Sequence, residues 1–511
     1  MSGEIKEECG IAAVSLKRKN KALFYLYRLL LNLQNRGQLS AGITTYNPRR
    51  AKLIDTYRGI GTVNEVFKTS NLIKSMQVFR RYSGNKGIGH VRYATFGAED
   101  KTYAQPFERK HGRKWKWFSF CFNGNLVNFN ELRKPLEEKT EYHFVLNNDT
   151  EIIMHYLARA LKGGRKPSLV DVFSSLSRKF DGAYNIAFIN AYGDLAISRD
   201  PLGFRPLCYG IRDGNIFVAS ESNALSNIGI YNHKSLEPGK VITIENGTIE
   251  IKRFARSQRK AHCMFEWVYF ANVGSVLDDK SVYLVRTRLG KELAKLETEN
   301  ITDEHIVVPV PDTAKAAGDA MAYELGIPAV EGLIRNRFVG RTFIEGSGRA
   351  NKVLNKYTLI KDIIKNKKVI LVDDSIVRGT TSRRIVSFLK RVGKAKEVHI
   401  RVSCPPIRAP CFYGIDMSTV KELLVPKYDK NIGSDSISEK ACKRIAKSLG
   451  ADSVIYQTIP RLIKSIGLPR NNLCLACLNG KYPTPCGRRM YIKALNDFKL
   501  RKKVKRSYEF N

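Results

Sequence analysis

The stretch Val-Ile-Leu-Val-Asp-Asp-Ser-Ile-Val-Arg-Gly-Thr-Thr-Ser at 369–382 carries the residue types needed to grip a phosphate. Its four leading apolar residues read as a buried strand. Asp373 and Asp374 follow at the carboxyl end of that strand, and Ser375, Arg378, Gly379, Thr380 and Thr381 lead into a helix. Ligands of open α/β sheets bind beyond the carboxyl ends of the strands, and a loop that opens a helix offers unpaired N–H groups to an anion. Gly379 lets the backbone come close, and two adjacent carboxylates suit a sugar diol or a Mg²⁺ held through waters. Helix capping alone accounts for one acid or hydroxyl of the string, not for all of it.

Two groups of cysteines invite chemistry. Cys9 opens Cys-Gly-Ile-Ala-Ala-Val, a strand-like run behind Glu7-Glu8. On position alone two readings stand. Cys9 is a packed structural cysteine, or it is a nucleophile uncovered by removal of residues 1–8, with its own α-amine, of pKa about 8, as the base. Cys474-Leu-Ala-Cys477 is a redox pair, half of a zinc ribbon or a coincidence, and no second Cys-x-x-Cys accompanies it.

The elements that must position these residues fall into two unlike halves. The chain has 511 residues, and domains run to about 100–200 residues, so more than one is expected. With 43% hydrophobic residues it can bury a sizeable core, which excludes a wholly disordered basic protein. Runs at 183–189, 216–219 and 241–244 read as strands, interrupted by helical stretches at 22–35 and 149–161: a layered α+β pattern. Further on, strands at 306–310, 369–372 and 398–402 alternate with helices such as 381–391, the pattern of a parallel doubly wound sheet. Residues 260–300 bridge the halves. No stretch has the roughly 20 apolar residues of a membrane helix, the N-terminus is no secretory signal, and ten scattered cysteines suit a reducing, cytoplasmic setting.

The 87 Lys+Arg against 48 Asp+Glu give a net charge of +39. The cations are dispersed, at 17–21, 109–116, 361–368 and 499–506, without zinc-finger or helix-turn-helix spacing. They read as a solvated surface rather than a nucleic-acid site, although phosphorylated small substrates would benefit from such a field.

The 369–382 stretch resembles the phosphoribosyl-pyrophosphate (PRPP) fingerprint of type I phosphoribosyltransferases. Gln34-to-Ile43, Gly89-to-Gly97, Ala104-Gln-Pro-Phe107, Phe122-to-Asn128 and Asn148-Asp-Thr-Glu151 follow in order and resemble the glutaminase domain of N-terminal-nucleophile amidotransferases. The likeness continues through 199–207, 220–225, 265–271, 310–313 and 335–344, covering about 9–477, and is that of the amidophosphoribosyltransferase family. The resemblance implies an αββα glutaminase domain at 9–255 behind a propeptide at 1–8, a type I phosphoribosyltransferase domain with a parallel sheet at 256–490, and a basic tail at 491–511. It implies Cys9 as nucleophile, Asn123 and the Gly124 N–H as oxyanion hole, and Arg36, Arg92 and Asp149 around glutamine, with Arg36 also placing the cysteine. Asn-Gly-Asn at 123–125 also reads as a turn, and His90 as a satisfied core histidine. PRPP would meet Asp373, Asp374, Ser375, Arg378, Gly379, Thr380 and Thr381, together with Arg341 and Lys356 from a mobile loop, and Mg²⁺ would meet Thr313, Asp373 and Asp374.

In one branch of that family four thiolates ligate a 4Fe-4S cluster, and Cys263, Cys411, Cys474 and Cys477 match those positions. Cys404, Cys442 and Cys486 match none and read as structural, and Cys121 and Cys208 read as core. The implied activity joins glutamine and PRPP, with a homotetramer, purine-nucleotide inhibition, and neither nucleic acid nor membrane as partner. Two rivals are an amidotransferase serving another acceptor, opposed by the 369–382 loop, and a non-enzymatic PRPP-binding regulator, which would need neither Cys9 nor Asn123. Three departures from the family pattern stand out: Asn35 in place of His, Asn223 in place of Cys, and Phe-Ala-Asn-Val-Gly-Ser at 270–275 in place of Phe-Ala-Arg-Pro-Asp-Ser.

Overall fold

The computed structural model describes residues 9–500 apart from 18–19, 94–99, 140–142, 147, 258, 337–356 and 418. Period-two alternation explains its first layers. In the strand Gly10–Ser15, Ile11 and Ala13 point into a core between two sheets, while Ala12 and Val14 pack under the helix Ala22–Asn32. The seven-stranded sheet runs in the order His233–Ser235, Cys208–Arg212, Asn215–Ala219, Gly10–Ser15, Lys86–Arg92, Ser40–Tyr46, Ile54–Ile60. The facing sheet has six: Thr248–Arg253, Lys240–Glu245, Leu195–Ser198, Gly182–Asn190, Phe118–Leu126, Phe107–Arg109. All neighbouring strands in both are antiparallel. Ile88, Cys121, Ala187, Ile197 and Ile242 fill the space between them. The helices Asp149–Ala160 and Leu169–Ser177 cover the outer face of the second sheet through Ile152, Leu157 and Phe173. The layers are αββα.

The second half is an α/β fold. His305–Pro309, Lys368–Asp373, Glu397–Val402 and Ser453–Tyr456 form a four-stranded, wholly parallel sheet in chain order. Val369, Ile370, Leu371 and Val372 are all fully buried, as expected for a strand covered on both faces. The helices Thr380–Arg391 and Glu439–Leu449 follow the second and third strands and bury one stripe each, Ile385, Val386 and Leu389 in the first.

The bridge at 260–300 comprises the strand His262–Cys263, a π turn Glu266–Phe270, a hairpin of Val276–Leu277 with Lys280–Ser281, and the helix Val282–Ala294. His262–Cys263 pairs in parallel with Leu473–Cys474, so the end of the chain is sewn to the junction. The expected helix at 22–35 stops at Asn32, which frees Asn35 and Arg36 for polar contacts. The basic tail expected from 491 begins inside a helix, Pro485–Lys499, whose Tyr491 ring packs at a tilt against Tyr482, centroids 4.9 Å apart. Among the described residues no helix is long and apolar enough to cross a membrane.

Candidate active site

Cys9 sits half-buried at the start of the strand Gly10–Ser15. Pairing of Gly10 with Val91 brings Arg92 and Tyr93 alongside, and Cys9 Sγ lies 3.9 Å from Tyr93 O. Burial raises the Cys9 thiol pKa, while the Tyr93 contact, Arg92 and Arg36 pull it down and Asp149 pushes it up. A thiol held above its ordinary value is not a resting thiolate and needs a base. The Arg92 guanidinium is buried over the Tyr103 ring, 5.3 Å from its centroid.

The strand Phe118–Leu126 packs across from Gly10–Ser15. It is pinned just before Asn123: Gln105 Oε1 accepts from Phe122 N at 2.7 Å, and His90 Nε2 lies 3.1 Å from Phe122 O. Burial pushes the His90 imidazole down to about 3, so it is neutral. Asn123 is 2% exposed and its Nδ2 has no partner, a costly state unless a ligand oxygen completes it. Gly124 has φ +149°, and a Cβ there would stand 1.9 Å from Ala183 O, so only glycine fits. Asp149 opens the helix Asp149–Ala160 and accepts from Leu126 N at 3.2 Å. Burial pushes its carboxyl up to about 6.

Arg36 holds Cys9 from behind. Its Nε donates to Cys9 O at 3.2 Å, and its guanidinium pairs with Glu221 and Glu266, both at 2.8 Å. These groups are fully buried, and the two carboxylates hold the Arg36 pKa well above its usual value. Arg36, expected around glutamine and behind the cysteine, is committed in this structure to two carboxylates and to the Cys9 carbonyl. Glu266, on the π turn, also lies 3.6 Å from Arg205. Arg286 donates to the carbonyls of Trp267, Tyr269 and Ala271 at 2.9–3.0 Å and so caps that turn. Sequence reasoning assigned no role to Glu221, Glu266, Arg205 or Arg286. The signal was available in the apolar neighbours of Glu266, since a charge among such residues must be paired.

The phosphate loop lies at the carboxyl edge of the parallel sheet. Thr313 Oγ1 donates to Asp374, as does Ser375 Oγ at 2.7 Å. Asp373 accepts from the Asp374 N–H at 2.9 Å and from Ser382 Oγ at 3.4 Å. Gly379, at φ +74°, turns the chain into the helix Thr380–Arg391, leaving Thr380 and Thr381 on its first turn. Arg378 differs from expectation. Its side chain turns to Glu422, Nε to Oε2 at 2.9 Å, and to Asp416 O at 3.1 Å, and so anchors the loop rather than lining it. Arg341 and Lys356 lie outside the described residues, as do residues 1–8.

Cys263 and Cys474 are direct partners in the junction strands. Cys411 acts electrostatically on both, and all three act on Cys477, as does Cys404, so these thiols lie near one another. Arg205 is their nearby cation. Phe412, Tyr413 and Tyr482 close over the group, and the Tyr413 N–H donates to Cys411 Sγ at 3.3 Å. Burial pushes Cys263 up to about 12 and raises the other three. Among the described residues no three Cys, His, Asp or Glu are set to hold a single metal ion. A 4Fe-4S cluster takes one thiolate per iron, and four thiols are what Cys263, Cys411, Cys474 and Cys477 would offer it. Of the remaining cysteines, Cys121, Cys208 and Cys404 are fully buried, Cys442 is half-buried, and Cys486 Sγ accepts from Arg489 at 2.8 Å.

A family model described as a glutamine amidotransferase domain matches residues 79–240. The amidophosphoribosyltransferase of Methanothermobacter thermautotrophicus is 38% identical over 492 residues, 94% of this chain and 96% of that one. That of Bacillus subtilis is 35% identical over 95% of this chain and 96% of its own. The chain belongs to the amidophosphoribosyltransferase family. A solved structure described as glutamine phosphoribosylpyrophosphate amidotransferase from B. subtilis, complexed with ADP and GMP, matches with a TM-score of 0.80 and 35% identity, covering 94% of this chain and 98% of that one. The fold brings Arg92 and Asp149 into electrostatic reach of Cys9, and separately gathers Asp373, Asp374, Ser375 and Thr313.

Proposed function

We propose that this amidophosphoribosyltransferase uses Cys9 to release ammonia from glutamine and the 373–381 loop to transfer it to PRPP, the first committed step of purine biosynthesis. With residues 1–8 removed, the α-amine takes the Cys9 proton and the sulfur attacks the side-chain amide carbon. A C–S bond forms, the C–N bond breaks, and ammonia leaves carrying the relayed proton. Water hydrolyses the thioester to glutamate. Asn123 Nδ2 and the Gly124 N–H face the charged oxygen of the intermediate, Arg92 forks onto the substrate carboxylate, and Asp149 meets its ammonium. Ammonia passes internally to C1 of PRPP, where a C–N bond forms as the C–O bond to pyrophosphate breaks, giving 5-phosphoribosylamine. Asp373 and Asp374 hold the ribose hydroxyls, Ser375 and Gly379 to Thr381 hold the 5-phosphate, and Arg341 and Lys356 close over pyrophosphate. The presence of few carboxylates at the loop suits Mg²⁺, which keeps waters and substrate oxygens as ligands. Asp373, Asp374 and Thr313 would hold it, and it would neutralise the departing pyrophosphate.

The observation that carries this reading is the pairing, in one chain, of an unpartnered buried Asn123 amide, on the strand that packs across from that of Cys9, with two carboxylates ahead of a helix N-terminus at the sheet edge. Purified protein given glutamine, PRPP and Mg²⁺ should form glutamate and pyrophosphate in equal amounts, and mass spectrometry should find Cys9 at the N-terminus. Glutamate without pyrophosphate would refute the transfer half. Because Asp149 titrates near 6 and must be ionised to hold an ammonium, the glutamine KM should rise as pH falls through 6 and be flat from pH 7 to 8. Glutaminase assays across pH 5–8 check this.

Cys263, Cys411, Cys474 and Cys477 are proposed to hold a 4Fe-4S cluster, which would cross-link the junction strands to the 411–417 loop. Anaerobically purified protein should contain about four iron and four sulfide per chain, and Cys474→Ser should lose both. The proposal further covers the division at 255/256, a homotetramer, purine-nucleotide inhibition and a cytoplasmic location. The relative's structure, complexed with ADP and GMP, supports the nucleotide reading.

A further inference from the structure

The chain from Cys411 to Asp416 touches both reactive sites. Toward the glutaminase, Asn125 Nδ2 donates to Phe412 O at 2.8 Å. Gly414 lies so near the expected oxyanion hole that a Cβ on it would stand 3.4 Å from both C and O of Gly124 and 3.0 Å from Arg205 Nη2. Toward the phosphate loop, Asp416 O accepts from Arg378 Nη2 at 3.1 Å, and Arg378 is tied in turn to Glu422. Arg378 directly precedes Gly379, where the loop enters its helix. The segment has little freedom between these ends. Tyr413 stacks on Phe204 with centroids 4.2 Å apart, its carbonyl accepts from Arg205 at 2.6 Å, and its hydroxyl meets Thr484 Oγ1 at 3.1 Å. The Cys411 N–H donates to Met417 O at 2.7 Å, closing the loop on itself.

An oxyanion hole works through donors fixed before charge develops. Gly124 is held on one side by its strand partner Tyr184, with Ala183 O close by, and on the other meets Gly414. We propose that residues 411–416 are a brace by which the phosphoribosyl half positions the oxyanion-hole strand. Asn125 and Gly414 are positioning residues at one end, and Glu422 anchors the other end through Arg378. The glutaminase site is therefore incomplete without the second half of the chain, and strain at the phosphate loop reaches Gly124 through six residues. The proposal rests on the amidotransferase reading and deepens it.

The test uses the full-length mature protein. Asn125→Ala should lower the glutaminase kcat about tenfold or more, the scale on which small misplacements act, with the glutamine KM, the PRPP KM and the ammonia-dependent rate each within about twofold of the parent. Glu422→Gln keeps side-chain size but loosens Arg378. It should lower the glutaminase kcat measured with PRPP present at least threefold, leaving ammonia-dependent synthesis at saturating PRPP unchanged. An unchanged glutaminase kcat in both variants overturns the brace, as does loss of both activities together in a variant whose unfolding midpoint matches the parent's. Should Asn125→Ala fail to fold, the Glu422→Gln result decides alone. PRPP-dependent glutamine turnover surviving in Cys9→Ala would instead refute the amidotransferase reading itself.

Discussion

Cys9→Ala is expected to abolish glutamine-dependent synthesis, by roughly 10⁴-fold or more, as loss of a covalent nucleophile does in other enzymes. Ammonia-dependent synthesis from PRPP should stay within about twofold of the parent, because the phosphate loop is built on a different sheet. The alanine removes only a sulfur from a half-buried position, and the anchor from Arg36 runs to the Cys9 carbonyl, which the substitution keeps. Unfolding should therefore be little changed, and the split between the two nitrogen sources separates lost chemistry from lost structure. The measurement is pyrophosphate release with glutamine and then with ammonium at pH 8.5, where more of the nitrogen is the free base. The protein must be the species with Cys9 exposed, since in the proposed mechanism the α-amine is the base for a thiol of raised pKa. Equal loss with both nitrogen sources would show that Cys9 is structural, the alternative that its strand position also allowed.

The division of labour behind that split was legible in the chain. Alternation in Gly10–Ser15 and four successive apolar residues before Asp373 are local signals, and local signals survive without tertiary contacts. Asp-Asp-Ser with Gly379 singled out the loop at the sheet edge because each residue type there has a separate task. Junction chemistry was not legible, because its partners are distant in sequence. Arg36 meets Glu221 and Glu266, Gly124 meets Gly414, and Asn125 meets Phe412 across 287 residues. Arg36 and Arg378 were both read as ligand-binding from their motifs, yet each spends its guanidinium on carboxylates of the protein, a choice only the fold reveals.

The three departures from the family pattern illustrate the same point. Taken singly, Asn35, Asn223 and the Asn272–Ser275 stretch look unrelated. In the structure they surround one carboxylate. Asn35 Nδ2 donates to Glu221 at 2.8 Å, the Asn272 N–H at 2.7 Å and Ser275 Oγ at 2.9 Å, and Ser275 also reaches Asn223 Oδ1 at 3.1 Å. Glu221 is fully buried and carries half of the Arg36 ion pair. The substitutions therefore form one polar shell around the group that holds the anchor of Cys9, and altering one of them changes the hydrogen bonding of the others.

That ion-pair centre yields the second large effect. Glu266→Gln removes one of two carboxylates facing a guanidinium whose side chain is fully buried, and it also takes a negative charge from beside Arg205. Breaking a buried ion pair from one side costs about 3–5 kcal/mol, against a typical total of about 5–15 kcal/mol, so the unfolding midpoint should fall by about 10 °C. Arg36→Met should cost more, because it leaves two buried carboxylates without their shared cation rather than one cation with a single partner. The loss should be nearly the same from pH 6 to pH 9, since the two carboxylates hold the Arg36 pKa far above that range and keep it charged throughout. Thermal unfolding at three pH values checks both the order and the flatness. The Arg36→Met and Glu266→Gln effects should also be strongly non-additive, because in the double variant Glu221 alone is left unpaired. Additive losses, or a loss from Glu266→Gln that vanishes at one end of the pH range, would show that Glu266 serves the junction by packing and not by charge.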